Sequence, residues 1–341
     1  MSTPITPPRL FRLLALAISV TLMATPVMVT AQRQRPLSLG SIAPANSLWD
    51  RALKQMASEI QTATSRRVRI RVASMSQGDE SAIVRRLGLR TTHAASLTQI
   101  GLEELHDSFA VLGMPFFFES DAEARHVLEA LRPTFERGLA EQNLVLLSWG
   151  HSGWAHIFSA EPIASLADLK KAKLYTSSGN SEMVSWYTAN GFDPVPFELS
   201  DVPVGLNTGM INAYPFPPYA AMLLGYYKSA PHMLDLPMGP VLGATVMGKQ
   251  VWDRLSDEDR AAVTAASRQL EDELFKDVPR QDAAAVFEMK KRELQVIGLD
   301  EEAIAEFRQA ADTMNASMRG QIVPAAVYDA AVKARDAFRS R

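Results

Sequence analysis

The chain contains no cysteine among its 341 residues. A disulfide framework, a thiolate metal site and a cysteine nucleophile are therefore excluded. A lipid-modified cysteine cannot serve as an anchor either, so we expect any exported form to be free of a lipid tether. Glycine-rich phosphate loops of the two common types are also missing from the sequence. These absences remove several classes of enzyme and of tethered protein.

Complete catalytic and metal-binding motifs are missing as well. Gly150-His151-Ser152-Gly153-Trp154 approaches the Gly-x-Ser-x-Gly elbow of serine hydrolases, but Trp154 stands where the second glycine is needed. His151 and His156 are five residues apart, whereas two ligands on one helix face are three or four residues apart. No carboxylate completes a zinc motif around them. We therefore predict a protein that is not an enzyme and that holds no metal ion and no cofactor.

Charge of either sign is moderate. The chain has 35 basic and 38 acidic residues, 47% hydrophobic residues and 21% charged residues, which is typical of a soluble globular protein. Its length allows about two domains. No basic patch indicates a nucleic-acid partner.

The longest apolar run lies at the N-terminus. Two arginines precede the apolar stretch Leu13–Thr25, and Val29-Thr30-Ala31 offers small residues before Gln32, as at a signal-peptidase site. The run is shorter than the about 20 residues that a spanning helix needs, and Pro26 interrupts its end. We therefore predict that residues 1–31 form a cleavable signal peptide, with an uncleaved membrane anchor as the alternative. The mature chain would carry a formal net charge of about −5, because 33 basic residues remain against 38 acidic ones.

The pattern after the signal predicts a strand–helix–strand unit. Residues 37–42 alternate between apolar and small side chains, as in a strand. Ser47 is a favourable N-cap for the amphipathic helix that follows. Residues 68–72 alternate between aliphatic residues and arginines, with a period of two. A short-linked strand–helix–strand unit implies a parallel sheet.

The rest of the chain continues this alternation, which favours an α/β fold. The same rules predict a helix at Asp121–Leu131, strands at Leu144–Leu147 and Val241–Met247, and a long helix from Asp257 toward Gln295 with Ser256 as its cap. Because Pro279 lies inside the long helix, a kink or break is expected there.

Aromatic residues are abundant in the middle of the chain. The segment Tyr214–Tyr219 combines aromatic residues with three prolines and has no helical period. Rigid aromatic segments of this kind often line ligand clefts, whose walls are mostly apolar. For any single aromatic residue, however, a place in the hydrophobic core is the simpler interpretation.

Several short motifs follow one another in an order that resembles a known family. They are Leu112–Phe118, Trp149-Gly150, Gly153–His156, Pro162-Ile163, Ala167–Lys170, Lys173–Tyr175, Asp193–Phe197, Gly209–Ala213 and Trp252–Ser256. This order is similar to that of the extracytoplasmic solute receptors of TRAP transporters, the C4-dicarboxylate-binding-protein family. The resemblance covers nearly all of the mature chain.

The resemblance implies a fold and a function. The fold is a two-domain periplasmic-binding-protein fold with a hinge and a long kinked helix that supports both domains. We assign residues 36–152 and 240–280 to one domain, and residues 153–239 and 281–335 to the other. The function is that of a periplasmic receptor, which binds a small molecule and delivers it to the TRAP permease subunits in the membrane. A sensor or partner-binding module without a transport role is the alternative.

The predicted cleft departs from the family pattern. Tyr175 stands where the family usually has an arginine that grips the substrate carboxylate, and Ala155 stands where a second arginine is common. Phe216 replaces a family asparagine. A phenol cannot reproduce the bidentate, charge-assisted clamp of a guanidinium group. We therefore expect an apolar, aromatic or weakly anionic ligand rather than a simple dicarboxylate, with Lys173 as a candidate replacement for the missing arginine.

These considerations give a set of predicted ligand-binding residues. Tyr175 and Ser177 would supply hydrogen bonds, while aromatic residues would supply apolar walls. The full set is Trp49, Trp149, Trp154, Tyr175, Ser177, Tyr214 and Phe216.

Overall fold

The structure is a computed structural model that describes residues 35–178 and 181–341. The predicted signal peptide, residues 1–31, lies outside the described residues. No helix within the described residues is long and apolar enough to span a membrane.

Strands and helices alternate along most of the described chain. The strands are Leu37–Ser41 (β1), Ile70–Ser74 (β2), Ala94–Thr98 (β3), Leu144–Ser159 (β4), Lys173–Ser177 (β5), Asp193–Phe197 (β6), Ala213–Phe216 (β7), His232–Leu234 (β8), Gly239–Gly248 (β9) and Gln295–Ile297 (β10). The α-helices are Leu48–Ala63 (α1), Glu80–Gly88 (α2), Gln99–Glu103 (α3), Asp121–Glu141 (α4), Leu166–Lys171 (α5), Ser181–Ala189 (α6), Val202–Thr208 (α7), Pro218–Leu224 (α8), Lys249–Trp252 (α9), Asp257–Lys290 (α10), Glu301–Met318 (α11) and Ala325–Arg339 (α12).

The first strand–helix–strand unit has the predicted form. β1 and β2 pair in parallel, with Leu37 opposite Ile70. Ser47 caps α1, and its side chain accepts a hydrogen bond from the Asp50 backbone N–H. Apolar residues of α1, among them Leu53 and Ile60, are fully buried. The parallel pairing therefore follows from the crossover helix, whose apolar face covers the sheet.

The strands form one continuous path. The order is β2-β1-β3-β9-β4-β7-β5-β6, and β10 pairs with β8, which pairs with β4. The pairs of β9 with β3 and with β4 are antiparallel, whereas β1 with β2 and β5 with β6 are parallel. The sheet is therefore mixed, with α/β units on both sides of an antiparallel centre.

The long strand β4 connects the two groups of parallel strands. Its first part pairs with β9, and its last four residues, from His156 to Ser159, pair with β7. The register with β9 shifts between His151 and Trp154. Gly153 lies in this bulge with a φ of 115°, a conformation that favours glycine.

The long helix α10 touches both halves of the fold. It contains 34 residues, and Ser256 accepts a hydrogen bond from the Asp259 backbone N–H at its start. Its earlier residue Leu274 packs in a cluster around β1 and α1, whereas Ala285 packs in a cluster around β7 and α8. The helix continues through Pro279, so no break occurs there, because packing on both sides offsets the missing hydrogen bond. The α/β fold and the long helix are thus as predicted, while the two domain boundaries stay a prediction.

Candidate functional site

A cavity of about 320 Å³ lies among the carboxyl ends of several strands. The loop after β1 (41–44), the start of α2 (79–81), strand β5 (174–177) and the end of β7 (215–217) contribute to its lining. Clefts beyond the carboxyl ends of strands are the usual ligand sites of open α/β sheets. The volume is within the range of small-molecule pockets.

Aromatic rings form much of the cavity wall. Trp49, Tyr175, Tyr187 and Phe216 all line it. The rings of Tyr175 and Phe216 meet edge to face, with centroids 5.8 Å apart and an interplanar angle of 79°. This geometry is favourable for aromatic pairs and fixes both rings at the cavity surface.

Four of the predicted ligand-binding residues line the cavity: Trp49, Tyr175, Ser177 and Phe216. The other three, Trp149, Trp154 and Tyr214, are absent from its lining. Their places in the fold explain why.

Trp149 belongs to the hydrophobic core. Its side chain is 1% exposed, and its ring meets Phe135 of α4 edge to face at 5.3 Å. Trp154 points away from the cavity, since its neighbour Ala155 lines the cavity and successive strand residues face opposite sides. The Trp154 Nε1–H donates instead to Asp121 Oδ1 at 2.7 Å.

Tyr214 lies beneath the cavity wall. It is fully buried and stacks on Phe158, with centroids 5.3 Å apart and nearly parallel planes. Its ring also meets Phe216 edge to face at 5.3 Å. Tyr214 therefore supports Phe216 from the core side.

Lys173 is not placed to replace the missing arginine. Its side chain is exposed, and Nζ donates to the Gly209 carbonyl at 3.0 Å. The cavity lining includes the next four residues of β5 but not Lys173. Among the residues that the structure describes, the lining contains no arginine, lysine or histidine.

The lining instead contains four acidic residues, which the sequence reasoning missed. They are Asp79, Glu80, Glu103 and Glu198. Asp79 caps α2, since its side chain accepts a hydrogen bond from the Ala82 backbone N–H. Aspartate is a common N-cap residue at helix starts in general. No signal in the sequence distinguishes such a capping acid from one that also faces a cavity.

Glu80 is buried at the edge of the cavity, with 6% of its surface exposed. Its two carboxyl oxygens accept hydrogen bonds from the backbone N–H and the hydroxyl of Thr98, at 2.5 and 2.6 Å. Burial raises the pKa of Glu80 to about 7, although these hydrogen bonds act in the opposite direction.

The carboxyl groups of Asp79 and Glu198 lie close enough to shift each other's pKa. The interaction between these carboxyl groups lowers the pKa of Asp79 and raises the pKa of Glu198. Ser178 also donates its hydroxyl to Glu198. The two acids therefore lie together between the start of α2 and the end of β6.

Several buried polar atoms of the lining lack a hydrogen-bond partner among the described residues. They are Trp49 Nε1, Gln99 Oε1, Ser152 Oγ and Thr176 Oγ1. Buried polar groups are normally hydrogen-bonded, and exceptions concentrate where a ligand or an ion completes the set. These atoms are therefore suited to contact a bound molecule.

The bulge of β4 is tied to α10 below the cavity. Asp282 accepts from the backbone N–H of Trp154 at 3.2 Å and from that of Tyr219 at 3.0 Å. Burial raises the pKa of Asp282 to about 6. Ser152, which lines the cavity, stands next to this anchor.

Comparison with known families agrees with the fold. The model of the bacterial extracellular solute-binding proteins of family 7, DctP, matches residues 39–321. The chain belongs to this family. The predicted resemblance to solute receptors of TRAP transporters is thereby confirmed, and the predicted export agrees with an extracellular family.

Relatives of this family 7 protein carry names of binding proteins. A solute-binding protein of Chromohalobacter salexigens is 24% identical over 226 residues, covering 64% of this chain and 65% of the relative. The ectoine-binding periplasmic protein TeaA of Halomonas elongata is 26% identical over 212 residues, covering 60% of this chain and 61% of the relative. The chain thus spans less than two thirds of the length of both relatives.

Solved structures show the same fold over most of the chain. DctP7 of Bordetella pertussis, an extracytoplasmic solute receptor binding pyroglutamic acid, has a TM-score of 0.81 at 19% identity and covers 89% of this chain and 99% of its own. A TRAP periplasmic solute-binding protein of Haemophilus influenzae with bound L-gulonate has a TM-score of 0.81 at 20% identity and covers 88% and 99%. At these identities the likeness establishes the fold of the family 7 protein.

Proposed function

We propose that this chain is an exported solute receptor, which binds a small molecule in the cavity and delivers it to a TRAP-type permease in the membrane. Family membership supports the binding role, and several structural neighbours are described as TRAP periplasmic solute-binding proteins. In this proposal the protein binds its ligand without converting it, since the family consists of binding proteins.

The ligand in this proposal has an apolar or aromatic body and is not recognised through a carboxylate. The observation that carries this proposal is the charge of the lining, which has four acidic residues and, among the described residues, no basic one. Burying an ionised ligand carboxylate without a cationic partner costs about several kcal/mol of binding free energy. The acids of the lining would add repulsion to that penalty. A weakly anionic ligand is therefore less suited to this cavity than a neutral one.

The ligand would contact both predicted domains. Trp49 and Glu80 lie within residues 36–152, whereas Tyr175 and Phe216 lie within residues 153–239. A ligand that contacts two domains favours the closed state by its differential affinity for that state. The cavity therefore suits the ligand-driven closure that is expected of a two-domain receptor.

A thermal-shift and calorimetric screen tests the ligand class. Short dicarboxylates, sugar acids and pyroglutamate form one arm, and neutral aromatic or aliphatic compounds of similar size form the other. Neutral compounds should raise the melting temperature of the wild-type protein, and the carboxylates should not. Strong stabilisation by the carboxylates would overturn the proposed ligand class.

Two substitutions at one position sharpen this screen. Tyr175→Arg places a guanidinium group where the family usually carries one, so it should raise affinity for carboxylates relative to neutral compounds. Tyr175→Phe is the matched control, since it keeps the ring and adds no charge. If Tyr175→Arg left the ranking of the two arms unchanged, residue 175 would not set the ligand class.

Delivery to a permease is a separate part of the proposal. Uptake of the bound ligand into vesicles that hold the permease subunits should depend on this receptor. Uptake that is independent of the receptor would favour the sensor alternative, which none of the comparisons described above supports.

A further inference from the structure

We infer that the ligand carries a protonated amine, held by the carboxyl groups of Asp79, Glu80 and Glu198 against the aromatic wall. This inference rests on the proposed receptor function and names the ligand class more closely. The proposed ligand is therefore cationic, whereas a cleft with the family arginine is expected to bind an anionic carboxylate.

The first support is that these carboxyl groups face the cavity without a basic partner. Among the described residues, no ion pair within 4.0 Å includes Asp79, Glu80 or Glu198. Arg85 is near enough to lower the pKa of Asp79, but it does not line the cavity. Glu80 is buried with no cation beside it in the described part of the chain, and buried charges are normally paired, so a cationic ligand group would complete this site.

The second support is the position of the acids around Tyr175. Burial and then the neighbouring Tyr226 raise the pKa of Tyr175 most, and the nearby acids Glu80, Glu198 and Asp79 raise this pKa further. Three carboxyl groups therefore lie near the residue that stands where the family usually has an arginine. A positive ligand group near the Tyr175 hydroxyl would gain Coulomb energy from both sides of the cavity, since the acids come from α2 and from the end of β6.

The third support is the aromatic wall beside the acids. Trp49, Tyr175, Tyr187 and Phe216 line the same cavity. The face of an aromatic ring attracts a cation within about 6 Å of its centroid. Acids and ring faces together are the usual surroundings of a bound ammonium group, whereas a neutral ligand needs only the rings.

A metal ion is a poorer occupant than an amine. Within the described residues, no three acidic or histidine side chains are grouped so that they could hold a metal ion. The cavity volume of about 320 Å³ suits an organic molecule.

Isothermal titration with three matched probes tests this inference. The probes are phenethylamine, 2-phenylethanol and 3-phenylpropanoate, which share a ring and a two-carbon spacer and differ in charge. The amine should bind at least about tenfold more tightly than the alcohol, as expected for a charge-assisted hydrogen bond in place of a neutral one. The acid should bind most weakly.

Charge-neutralising variants identify the groups responsible. Glu80→Gln and Glu198→Gln should each reduce the preference for the amine over the alcohol, while affinity for the alcohol stays near that of the wild type. Glu306→Gln is the matched control, because Glu306 is exposed on α11 and lies outside the lining. Since Glu80 is buried, Glu198→Gln keeps the test valid if the Glu80 variant folds poorly.

The outcomes separate this inference from the proposed function. Equal affinity for amine and alcohol, or no binding of the amine, overturns the amine assignment and leaves the receptor function intact. Tightest binding of the acid overturns both the amine assignment and the proposed ligand class. If both variants kept the wild-type preference for the amine over the alcohol, other groups would bind the ammonium group. That result would overturn the proposed role of these carboxyl groups.

Discussion

The carboxylate of Asp282 occupies the space that any side chain at Gly153 would enter. A Cβ atom at residue 153 would overlap Asp282 Oδ2 and would lie 2.7 Å from Pro217 Cβ. Asp282 belongs to α10, and Gly153 belongs to the bulge of β4. The contact therefore joins the long helix to the strand that links the two groups of parallel strands.

Gly153→Ala should destabilise the protein by about 2–4 kcal/mol, because it adds a clash to a φ of 115° that alanine rarely adopts. Urea unfolding measures the loss. Gly88→Ala at the end of α2 is the control, since a Cβ there meets no atom within 4 Å. That variant should be neutral or more stable by about 0.5–1 kcal/mol. Equal stability of the two variants would contradict the packing described.

Asp282→Asn should weaken the anchor of the bulge. The carboxylate accepts one backbone N–H on each oxygen, from Trp154 and from Tyr219. An amide keeps only one acceptor oxygen, so one buried N–H loses its partner at a cost of about 1–3 kcal/mol. Chemical denaturation above pH 7, where Asp282 is ionised, should show this loss. The result would disprove the anchoring role if the variant were as stable as the wild type.

Glu80 should make the stability depend on pH. Its pKa is raised from 4.5 to about 7 in the folded protein. Between these values the folded state holds a proton that the unfolded chain has released, so stability falls as the pH rises from about 4.5 to about 7. The full difference is on the order of 3 kcal/mol.

Glu80→Gln removes this titration. The free energy of unfolding should therefore change less between pH 5 and pH 8 in the variant than in the wild type, by about 3 kcal/mol. Urea titrations at both pH values measure it, and Glu306→Gln should keep the wild-type dependence. Parallel pH profiles of wild type and Glu80→Gln would show that Glu80 does not titrate in this range.

Substitution of Trp49 should chiefly change ligand affinity, whereas substitution of Trp149 should chiefly change stability. Trp149→Phe should cost about 1–3 kcal/mol of stability and leave ligand affinity nearly unchanged, because the ring is buried in the core. Trp49→Phe removes an unpartnered Nε1–H from the cavity wall and should chiefly lower affinity for the tightest probe of the series. Denaturation and calorimetry on both variants give the comparison, and an affinity loss confined to Trp149→Phe would reverse the assignment.

Ser152→Ala should affect ligand binding more than folding. The Ser152 hydroxyl lines the cavity and has no hydrogen-bond partner among the described residues. Its removal should leave stability within about 0.5 kcal/mol and reduce affinity by about 2- to 10-fold, the value of one hydrogen bond. Calorimetry with the tightest probe measures the affinity. A large loss of stability with unchanged affinity would place the hydroxyl in the structure rather than in the binding site.

Local patterns were enough to predict several elements of the fold. The alternation in residues 37–42 and 68–72 and the cap at Ser47 predicted a parallel strand–helix–strand unit, which the structure contains. Helix α4 and strands β4 and β9 also begin close to the predicted residues. β4 is four times as long as its predicted apolar core, since its continuation is stabilised by pairing with distant strands.

The ordered motifs likewise predicted the family, and they placed Tyr175 and Phe216 where the cavity is found. They could not distinguish cavity-facing aromatic residues from core residues. Trp149, Trp154 and Tyr214 resemble the lining residues in type and in sequence context, but the twist, bulge and layering of the sheet turn them elsewhere.

The sequence by itself determined that this chain belongs to the solute-binding proteins of family 7, and it predicted that Tyr175 and Ala155 stand where the family usually has arginines. Only the tertiary structure decided which distant acids line the same cavity as Tyr175. Asp79 and Glu80 begin α2, and Glu198 follows β6, so more than 100 residues separate the groups that meet at one cavity. The charge of a cavity depends on side chains that packing brings together from distant parts of the chain. The local hydrophobic periodicity of the sequence does not show which distant residues become neighbours.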